Sequence, residues 1–243
     1  MTVEIVEVLR RAAQGVTCPF YCRGDDGKFY YVKGKHAGRR SQICEWIAGG
    51  LAKQLGLPIA PFRAAYISEE LVDCLQDDWQ ELGAGIVFAS EALPHALEIA
   101  WPNVASIPVD VRSDILVFDR WVRNADRNLT QLGGNPNVLW TPSSDVVIID
   151  HNQAFDEAFD FPQFLRMHIF AQCWDEVADD LVKRASYEER LDSAMDAFSA
   201  LCDSCPAEWW WVDDGVATRF DRDRVEELLR ACKTSDGFWE KAK

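Results

Sequence analysis

Two short apolar runs joined by a polar turn constrain this chain more than any other feature. The runs are residues 138–140 and 146–149, and the turn residues between them predict a β-hairpin. Asn-Pro-Asn precedes the first run and Asp150 follows the second. A carboxylate at the end of a buried strand costs free energy unless it is paired or binds a metal ion. The pattern therefore predicts that Asp150 belongs to a polar, metal-binding site.

A second aspartate upstream gives this stretch the layout of a phosphoryl-transfer site. Asp126 is predicted on a loop just past a helix, in Asn-Ala-Asp-Arg-Asn, where it can orient a substrate hydroxyl or receive its proton. Asn135 and Asp150 supply oxygen ligands of the kind that Mg²⁺ prefers. Single turn or capping aspartates are the alternative interpretation. The ordered set favours the functional interpretation.

The asparagine of this set is displaced from its expected position. In the protein-kinase pattern H-R-D-x-x-x-x-N, Gln131 occupies the place of the asparagine. We predict an insertion with Gly133-Gly134 at its tip, and Asn135 as the metal ligand. Asn137 and Gln131 remain the alternatives.

The N-terminal part is predicted to carry a lysine for nucleotide phosphates. Strands over residues 20–23 and 28–33 flank the turn Gly24-Asp25-Asp26-Gly27, and Lys33 ends the second strand. A helix starting at Ser41 and ending at Gly56 places Glu45 among apolar neighbours, where it would pair with Lys33. A solvated strand-end lysine and an exposed first-turn glutamate are the alternatives, and Lys28 and Lys35 compete for the role.

The remaining elements divide the chain into a β-rich part, residues 1–91, and a mainly helical part, residues 92–243. The first part is predicted to hold a helix at 3–13 and further strands at 61–67 and 85–88. The second part is predicted to hold the hairpin and helices at 108–121, 162–173, 175–185, 187–202 and 219–232. This pattern predicts an α+β fold with a ligand cleft between two lobes.

Composition narrows the function classes. A net charge of -15 and a pI near 4.6 argue against binding to duplex nucleic acid, whose phosphates would be repelled. Mg²⁺ and a local lysine can still hold ATP. No apolar run reaches the length of a membrane span, and no basic segment precedes an apolar one at the N-terminus, so we expect a cytoplasmic protein without a membrane partner.

Two further motifs are given structural interpretations. Cys202 and Cys205 have CxxC spacing but no second pair, so we expect thiols rather than zinc. Residues 209–211 are three tryptophans, which we expect to fill the core rather than form an aromatic binding patch.

Taken together, these motifs resemble the HipA-like kinases, particularly the compact bacterial domains. The matching segments occur in family order over roughly residues 15–155: Tyr31-Val32-Lys33-Gly34, Glu45-Trp46-Ile47-Ala48, Leu55-Gly56-Leu57-Pro58, Asn124-Ala125-Asp126-Arg127, Asn135-Pro136-Asn137-Val138-Leu139-Trp140 and Ile149-Asp150-His151. The resemblance implies a two-lobed fold similar to protein kinases and phosphatidylinositol kinases, with a β-rich N-lobe and a mainly helical C-lobe that carries the catalytic hairpin.

The resemblance also implies roles for residues. Asp126 would be the catalytic base, Asn135 and Asp150 the metal ligands, and Lys33, held by Glu45, the phosphate contact. The backbone of three hinge residues would meet adenine: Ala89, Ser90 and Glu91.

The implied function is transfer of the ATP γ-phosphate to a hydroxyl, with Mg²⁺. The acceptor implied by toxin-type relatives is a protein serine or threonine, and an antitoxin-like protein would be a further partner. A nucleotide-binding pseudokinase that acts as a partner-binding module and a small-molecule phosphotransferase are the alternatives.

Overall fold

The computed structural model describes residues 2–12, 17–143, 145–234 and 236–241. These residues form two compact units. The first comprises Met1–Trp46, Ala60–Pro94 and Ser204–Phe220, and the second comprises Ile47–Ile59, His95–Asp203 and Asp221–Lys243. Both units are discontinuous in sequence, whereas the division at residue 91 was expected to be continuous; that division stays a prediction.

The first unit is built on a closed five-stranded barrel. Its strands follow the order β1-β2-β3-β5-β4, and β1 pairs with β4 in parallel while the other pairs are antiparallel. Alternate side chains of each strand point inward, as the period of a strand requires, and pack into one core. The strands are β1 Val3–Arg11, β2 Phe20–Gly24, β3 Phe29–Lys33, β4 Phe62–Ile67 and β5 Gly85–Glu91.

The predicted N-terminal helix is wrong, because residues 3–11 form strand β1; residue 13 of that helix lies outside the described residues. Val3 and Ile5 are buried and Glu4 between them is exposed, which is the alternation of a strand. Pairing with β2 shifts register at two places along β1. These irregularities bring apolar and charged residues onto faces that a simple alternation would not predict.

Helix α1, Arg39–Gln54, begins before the predicted start, so Ser41 lies inside it. Its predicted end is confirmed. Gly56 has φ +72, and its N–H donates to the carbonyl of Lys53 while the N–H of Leu57 donates to Ala52. Glycine favours this left-handed position after a helix. A short helix, α2 Glu69–Asp73, follows β4 and was not predicted.

The second unit carries the predicted hairpin. β9 Val138–Trp140 pairs antiparallel with β10 Val146–Ile148, and Val138 lies opposite Ile148. The short strand β6 Leu97–Glu98 extends this sheet on the other side of β9. Upstream, β7 Asn128–Thr130 and β8 Gly133–Asn135 form a small hairpin of their own.

Helices make up most of the remaining second unit. α3 Val109–Trp121 agrees with the predicted helix at 108–121. The later predicted helices exist, but they are shorter and divided differently. Asp180 separates two of them because its side chain accepts the N–H groups of Val182 and Lys183 and so caps the second. They are α4 Phe161–Met167, α5 Trp174–Asp179, α6 Leu181–Met195, α7 Phe198–Asp203 and α8 Arg222–Thr234.

The tryptophan triplet belongs to the first unit, next to a hairpin of β11 Trp211–Asp213 and β12 Val216–Ala217. Trp209 is fully buried and its Nε1 donates to the carbonyl of Ile86 over 2.8 Å. Trp211, in contrast, is 52% exposed. The core interpretation therefore holds for Trp209 and not for Trp211. Among the described residues, no helix is long and apolar enough to cross a membrane.

Candidate active site

A buried ion pair joins the end of β3 to α1. Lys33 Nζ donates to Glu45 Oε1 over 2.5 Å, and the two side chains are 7% and 3% exposed. Removing either partner would leave the other charge buried and unpaired, which is strongly unfavourable. Lys28, which competes for the same role by sequence, instead pairs with Glu91 at an exposed position. The structure therefore brings together the two side chains that the sequence analysis paired.

The backbone around Lys33 is held by the first turn of α1. Gln42 Nε2 donates to the carbonyl of Lys33 over 2.7 Å. Arg39 Nη1 donates to the Gln42 side chain and to the carbonyl of Ile86 on β5. These contacts fix the end of β3 against α1 independently of the ion pair. Lys33 is thus positioned on a rigid element, as a phosphate-binding lysine requires.

The three residues predicted to meet adenine lie inside β5 rather than beyond it. Ala89, Ser90 and Glu91 pair with β3 on one side, and Ala89 and Ser90 also pair with β4 on the other. The N–H of Glu91 donates to the carbonyl of Pro61 over 2.7 Å. Much of this backbone is therefore already used by the sheet.

Asp126 lies on the loop after α3, where two asparagine amides converge on its carboxylate. Asn135 Nδ2 and Asn137 Nδ2 donate to Asp126 Oδ2 over 2.9 and 3.1 Å. The N–H of Asn128 donates to the carbonyl of Asp126 over 3.0 Å. Asp126 is partly exposed, whereas Asn137 is buried. The structure thus places both candidate asparagines at the carboxylate predicted to be the catalytic base.

The predicted insertion is the β7–β8 hairpin, but its tip is not the glycine pair. Gln131 and Leu132 form the turn, and both glycines lie in β8. Gly134 has φ +156, and a Cβ there would lie 2.5 Å from the carbonyl oxygen of Asn128, so the hairpin requires glycine. Gln131 is exposed at the tip. It is therefore the weakest of the three candidate metal ligands.

Asp150 follows β10 at the same end of the hairpin as Asn137. The N–H of Ile149 donates to the carbonyl of Asn137 over 3.0 Å, which joins the two segments. Asn137 and Asp150 have φ +46 and +57, a backbone conformation that residues other than glycine seldom adopt. Strained backbone of this kind is often found at functional sites.

The charge of Asp150 affects the pKa of the Asp126 carboxylate. Burial raises the pKa of Asp126, the neighbouring Asp150 charge raises it further, and the amides of Asn137 and Asn135 oppose the increase. Two carboxylates that repel each other would both be stabilised by a cation between or beside them. The electrostatics at this site therefore favour a bound cation.

The donor set suits a hard divalent cation. Asp150 offers a carboxylate, Asn135 and Asn137 offer amide oxygens, and Mg²⁺ prefers such oxygen ligands. The buried Oδ1 atom of Asn152 has no hydrogen-bond partner among the described residues, and the N–H of Asn152 approaches Asp150 Oδ1 at 3.5 Å. A buried oxygen of this kind is a further candidate ligand, which the sequence analysis missed.

A buried arginine and aspartate hold the loop that carries Asp126. Arg127 Nε donates to Asp119 Oδ2 over 2.6 Å, and both side chains are fully buried. The same guanidinium donates from Nη1 to the carbonyls of Asn137 and Ile149. One side chain therefore connects α3, the Asp126 loop and both strands of the β9–β10 hairpin.

Two histidines complete this network in defined tautomers. The N–H of Phe170 donates to His168 Nδ1 over 3.1 Å, so the ring proton lies on Nε2, which donates to Asp119 Oδ2 over 3.0 Å. Burial lowers the pKa of His168 and keeps it neutral. His151 Nε2 accepts from Arg127 Nη2 over 3.2 Å. His151 thus supports the loop from within the core.

Charge balance explains why Asp119 stays ionised. Burial alone would raise the pKa of Asp119, but the charge of Arg127 and hydrogen bonds from His168 and Arg127 outweigh it and hold the pKa well below its usual range. Asn124 Nδ2 adds a further hydrogen bond to the carboxylate over 2.9 Å. Sequence analysis did not identify Asp119 or His168. The sequence signal that could have identified Asp119 is the presence of a carboxylate on the apolar face of α3.

The other motifs considered by sequence have structural environments. Asp26, in the acidic turn between β2 and β3, accepts from the Tyr30 hydroxyl over 2.6 Å and from the N–H of Lys28. It therefore stabilises that turn. Cys202 and Cys205 are both buried, and burial raises the pKa of Cys202 to about 11, so it is a protonated thiol.

Comparison with known proteins assigns the family. A model of the HipA-like kinase family matches residues 5–242. No curated protein sequence matches. The crystal structure of the Helicobacter pylori proinflammatory kinase CtkA is similar to this chain with a TM-score of 0.52 and 11% sequence identity, over 96% of this chain and 95% of that one. That identity supports likeness of fold alone, whereas the family match extends over nearly the whole sequence. The chain therefore belongs to the HipA-like kinase family.

Proposed function

We propose that this protein is an ATP- and Mg²⁺-dependent kinase that transfers the γ-phosphate to a hydroxyl group, with serine or threonine of a protein as the acceptor. One observation carries the proposal. The Asp126 carboxylate, the amides of Asn135 and Asn137 and the charge of Asp150 meet at one end of the β9–β10 hairpin. Family membership and the buried Lys33–Glu45 pair support it.

The proposal gives each residue a role. Asp126 accepts the proton of the attacking hydroxyl, for which the raised pKa makes it a better base. Lys33 contacts the nucleotide phosphates and Glu45 holds it in place. Asp150 and Asn135 hold Mg²⁺, which neutralises the charge on the phosphates. The adenine contact is assigned to the end of β5, near Ala89, Ser90 and Glu91.

The proposal includes a two-lobed kinase architecture with residues 1–91 and 92–243 as the lobes. The first described unit holds the β-barrel and the first half of α1, and most helices belong to the second. We also propose a cytoplasmic location and an antitoxin-like protein partner. Both of these proposals rest on the family alone.

The direct test is phosphate transfer from radiolabelled ATP with Mg²⁺, to the protein itself and to myelin basic protein as a generic acceptor. We expect Asp126→Ala to lower labelling by about 10²–10⁴-fold, the usual contribution of a general base. Asp150→Ala is expected to abolish labelling. Asn135→Ala and Asn137→Ala, measured separately, identify which amide supports the metal.

A matched control uses Asp73→Asn, at the exposed end of α2, which is expected to label like wild type. Equal labelling by wild type, Asp126→Ala and Asp150→Ala would show that these residues do not carry the reaction.

A nucleotide-binding pseudokinase is the second candidate. The β7–β8 hairpin that separates Asp126 from Asn135 favours it, because this stretch is longer than in the kinase pattern. In that case Mg²⁺ and ATP would raise the melting temperature without any transfer, since a ligand of the native state stabilises it. A labelled product that depends on Asp126 excludes this function.

A further inference from the structure

A polar cavity lies in the second unit, and none of the residues assigned to the proposed reaction lines it. It has a volume of about 180 Å³ and is lined by α3, the loop after it and the C-terminal helix region. The lining includes two arginines, and both are partly exposed: Arg120 and Arg123. Trp121 and Phe238 form apolar walls. A cavity rich in cationic groups is unusual in a chain with a net charge of -15.

Arg120 is held by aromatic rings rather than by carboxylates. Its guanidinium carbon lies 4.2 Å from the centroid of the Phe161 ring and 5.1 Å from that of Phe238. Nη2 reaches the carbonyl of Gly237 only at 3.5 Å. Among the described residues, the buried Nε atom has no hydrogen-bond partner. A buried donor without a partner is costly, and an acceptor bound in this cavity would remove that cost.

Arg123 occupies a backbone position that suits glycine. It follows the C-terminus of α3 with φ +52, where a side chain strains the backbone. Within the described part of the chain, its guanidinium makes no hydrogen bond or ion pair. The sequence therefore places a long cation at a position where glycine would strain the backbone less. Strain that persists in this way points to a role for the side chain.

Among the described residues, the two guanidinium groups that line the cavity form no ion pair. Burial and, after it, the charge of Arg123 lower the pKa of Arg120 to about 10. Burial and the charge of Arg224 lower the pKa of Arg123. All three stay cationic at neutral pH. Glu240 and Asp156 act on Arg120 and Arg123 from a distance, and in the described residues neither forms an ion pair with them. Arg224 itself pairs with Glu157 over 3.3 Å.

We propose that this cavity binds a phosphate group, with Arg120 and Arg123 as its ligands. A dianion would match the two guanidinium groups in charge, and guanidinium forks pair with phosphate oxygens in a bidentate manner. It would supply the acceptor that Arg120 Nε lacks. The phosphate is that of a phosphorylated side chain or a free phosphate ion. The site is independent of the proposed transfer reaction and does not use its residues.

The test is isothermal titration of the 243-residue chain with inorganic phosphate, and separately with a short phosphoserine peptide, in EDTA at constant ionic strength. We expect wild type to bind at one site. Arg123→Gly is expected to bind at least about tenfold more weakly, since a hydrogen bond to a charged group contributes about 1.5–3 kcal/mol. Glycine suits the backbone at this position, so the variant should fold at least as stably as wild type.

A matched control separates this site from the general effect of removing an arginine. Arg166→Gln replaces an exposed arginine of α4 and should leave binding unchanged. Tighter binding of the peptide identifies a phosphorylated side chain as the ligand, and tighter binding of inorganic phosphate identifies the free ion. Unchanged affinity in Arg123→Gly, or no binding of either probe to wild type, would overturn the proposal.

Discussion

At the scale of single residues, burial of the Asp126 carboxylate and the nearby charge of Asp150 create a pH-dependent cost in stability. The pKa of Asp126 is raised above the ordinary aspartate value of 3.8. The folded protein therefore binds a proton more tightly at this residue than the unfolded chain does. As pH rises from that value through the raised pKa, the free energy of unfolding decreases, because the native state must then hold the charged form.

Asp126→Asn is expected to remove this cost. At neutral pH without divalent cations, the variant should be more stable than wild type. We expect a difference on the order of 1 kcal/mol, which is the size of the repulsion between two neighbouring like charges in water. The advantage should disappear at a pH well below 3.8, where the carboxyl is protonated in both states. Urea unfolding of wild type and variant, at neutral pH and at the acidic pH, measures this difference in stability. A variant that is less stable than wild type at neutral pH would contradict this account.

At the scale of elements, Arg127 determines how three segments fit together. Replacing it by methionine leaves Asp119 buried and charged without its ion-pair partner. It also removes the side-chain donor to the carbonyl of Ile149 and one of the two donors to the carbonyl of Asn137. Breaking a buried pair in this way typically costs about 3–5 kcal/mol. We expect that decrease in the free energy of unfolding for Arg127→Met, measured by urea denaturation.

A double variant and a surface control make this measurement specific. Asp119→Asn combined with Arg127→Met should be less destabilising than the sum of the two single changes, because no charge is left alone. Arg166→Met, on the exposed side of α4, should change stability by less than about 0.5 kcal/mol. Additive effects would show that the two side chains do not depend on each other.

Some elements could be predicted from local sequence patterns, and others could not. The β9–β10 hairpin, the strands of the Lys33 region and the end of α1 at Gly56 were predictable because turn residues and periodicity mark them locally. Strand β1 was not, since a run of valine, isoleucine and glutamate fits a strand or a helix and its pairing with β2 and β4 decides between them.

The candidate site also has a part that local sequence motifs predict and a part that they do not. The sequence motifs predicted the Lys33–Glu45 pair that the structure shows, and they placed Asp126 and Asn135, which are in contact, in one candidate site. The network of Asp119, Arg127 and His168 was not predictable, because those residues come from separate segments and no local spacing relates them.

At the scale of the whole molecule, the acidic surface should limit stability. Forty acidic and twenty-five basic residues give a net charge of -15, and like charges repel one another in the compact state. Salt screens such repulsion over about 10 Å at 0.1 M. We expect the melting temperature to rise between low and moderate NaCl concentrations. Sucrose at matched osmolality is the control, and a melting temperature that falls with salt would show that surface ion pairs dominate.

The closure of the barrel by β1 has a consequence for association. In an open sheet, the outer strands present unpaired N–H and C=O groups that can recruit other chains. Here β1 pairs with both β2 and β4, so each barrel strand has a neighbour on both sides. Loss of β1 would expose the edges of β2 and β4 at once. Residues 3–11 therefore protect the barrel from edge-to-edge aggregation, a role that is separate from any part they play in catalysis.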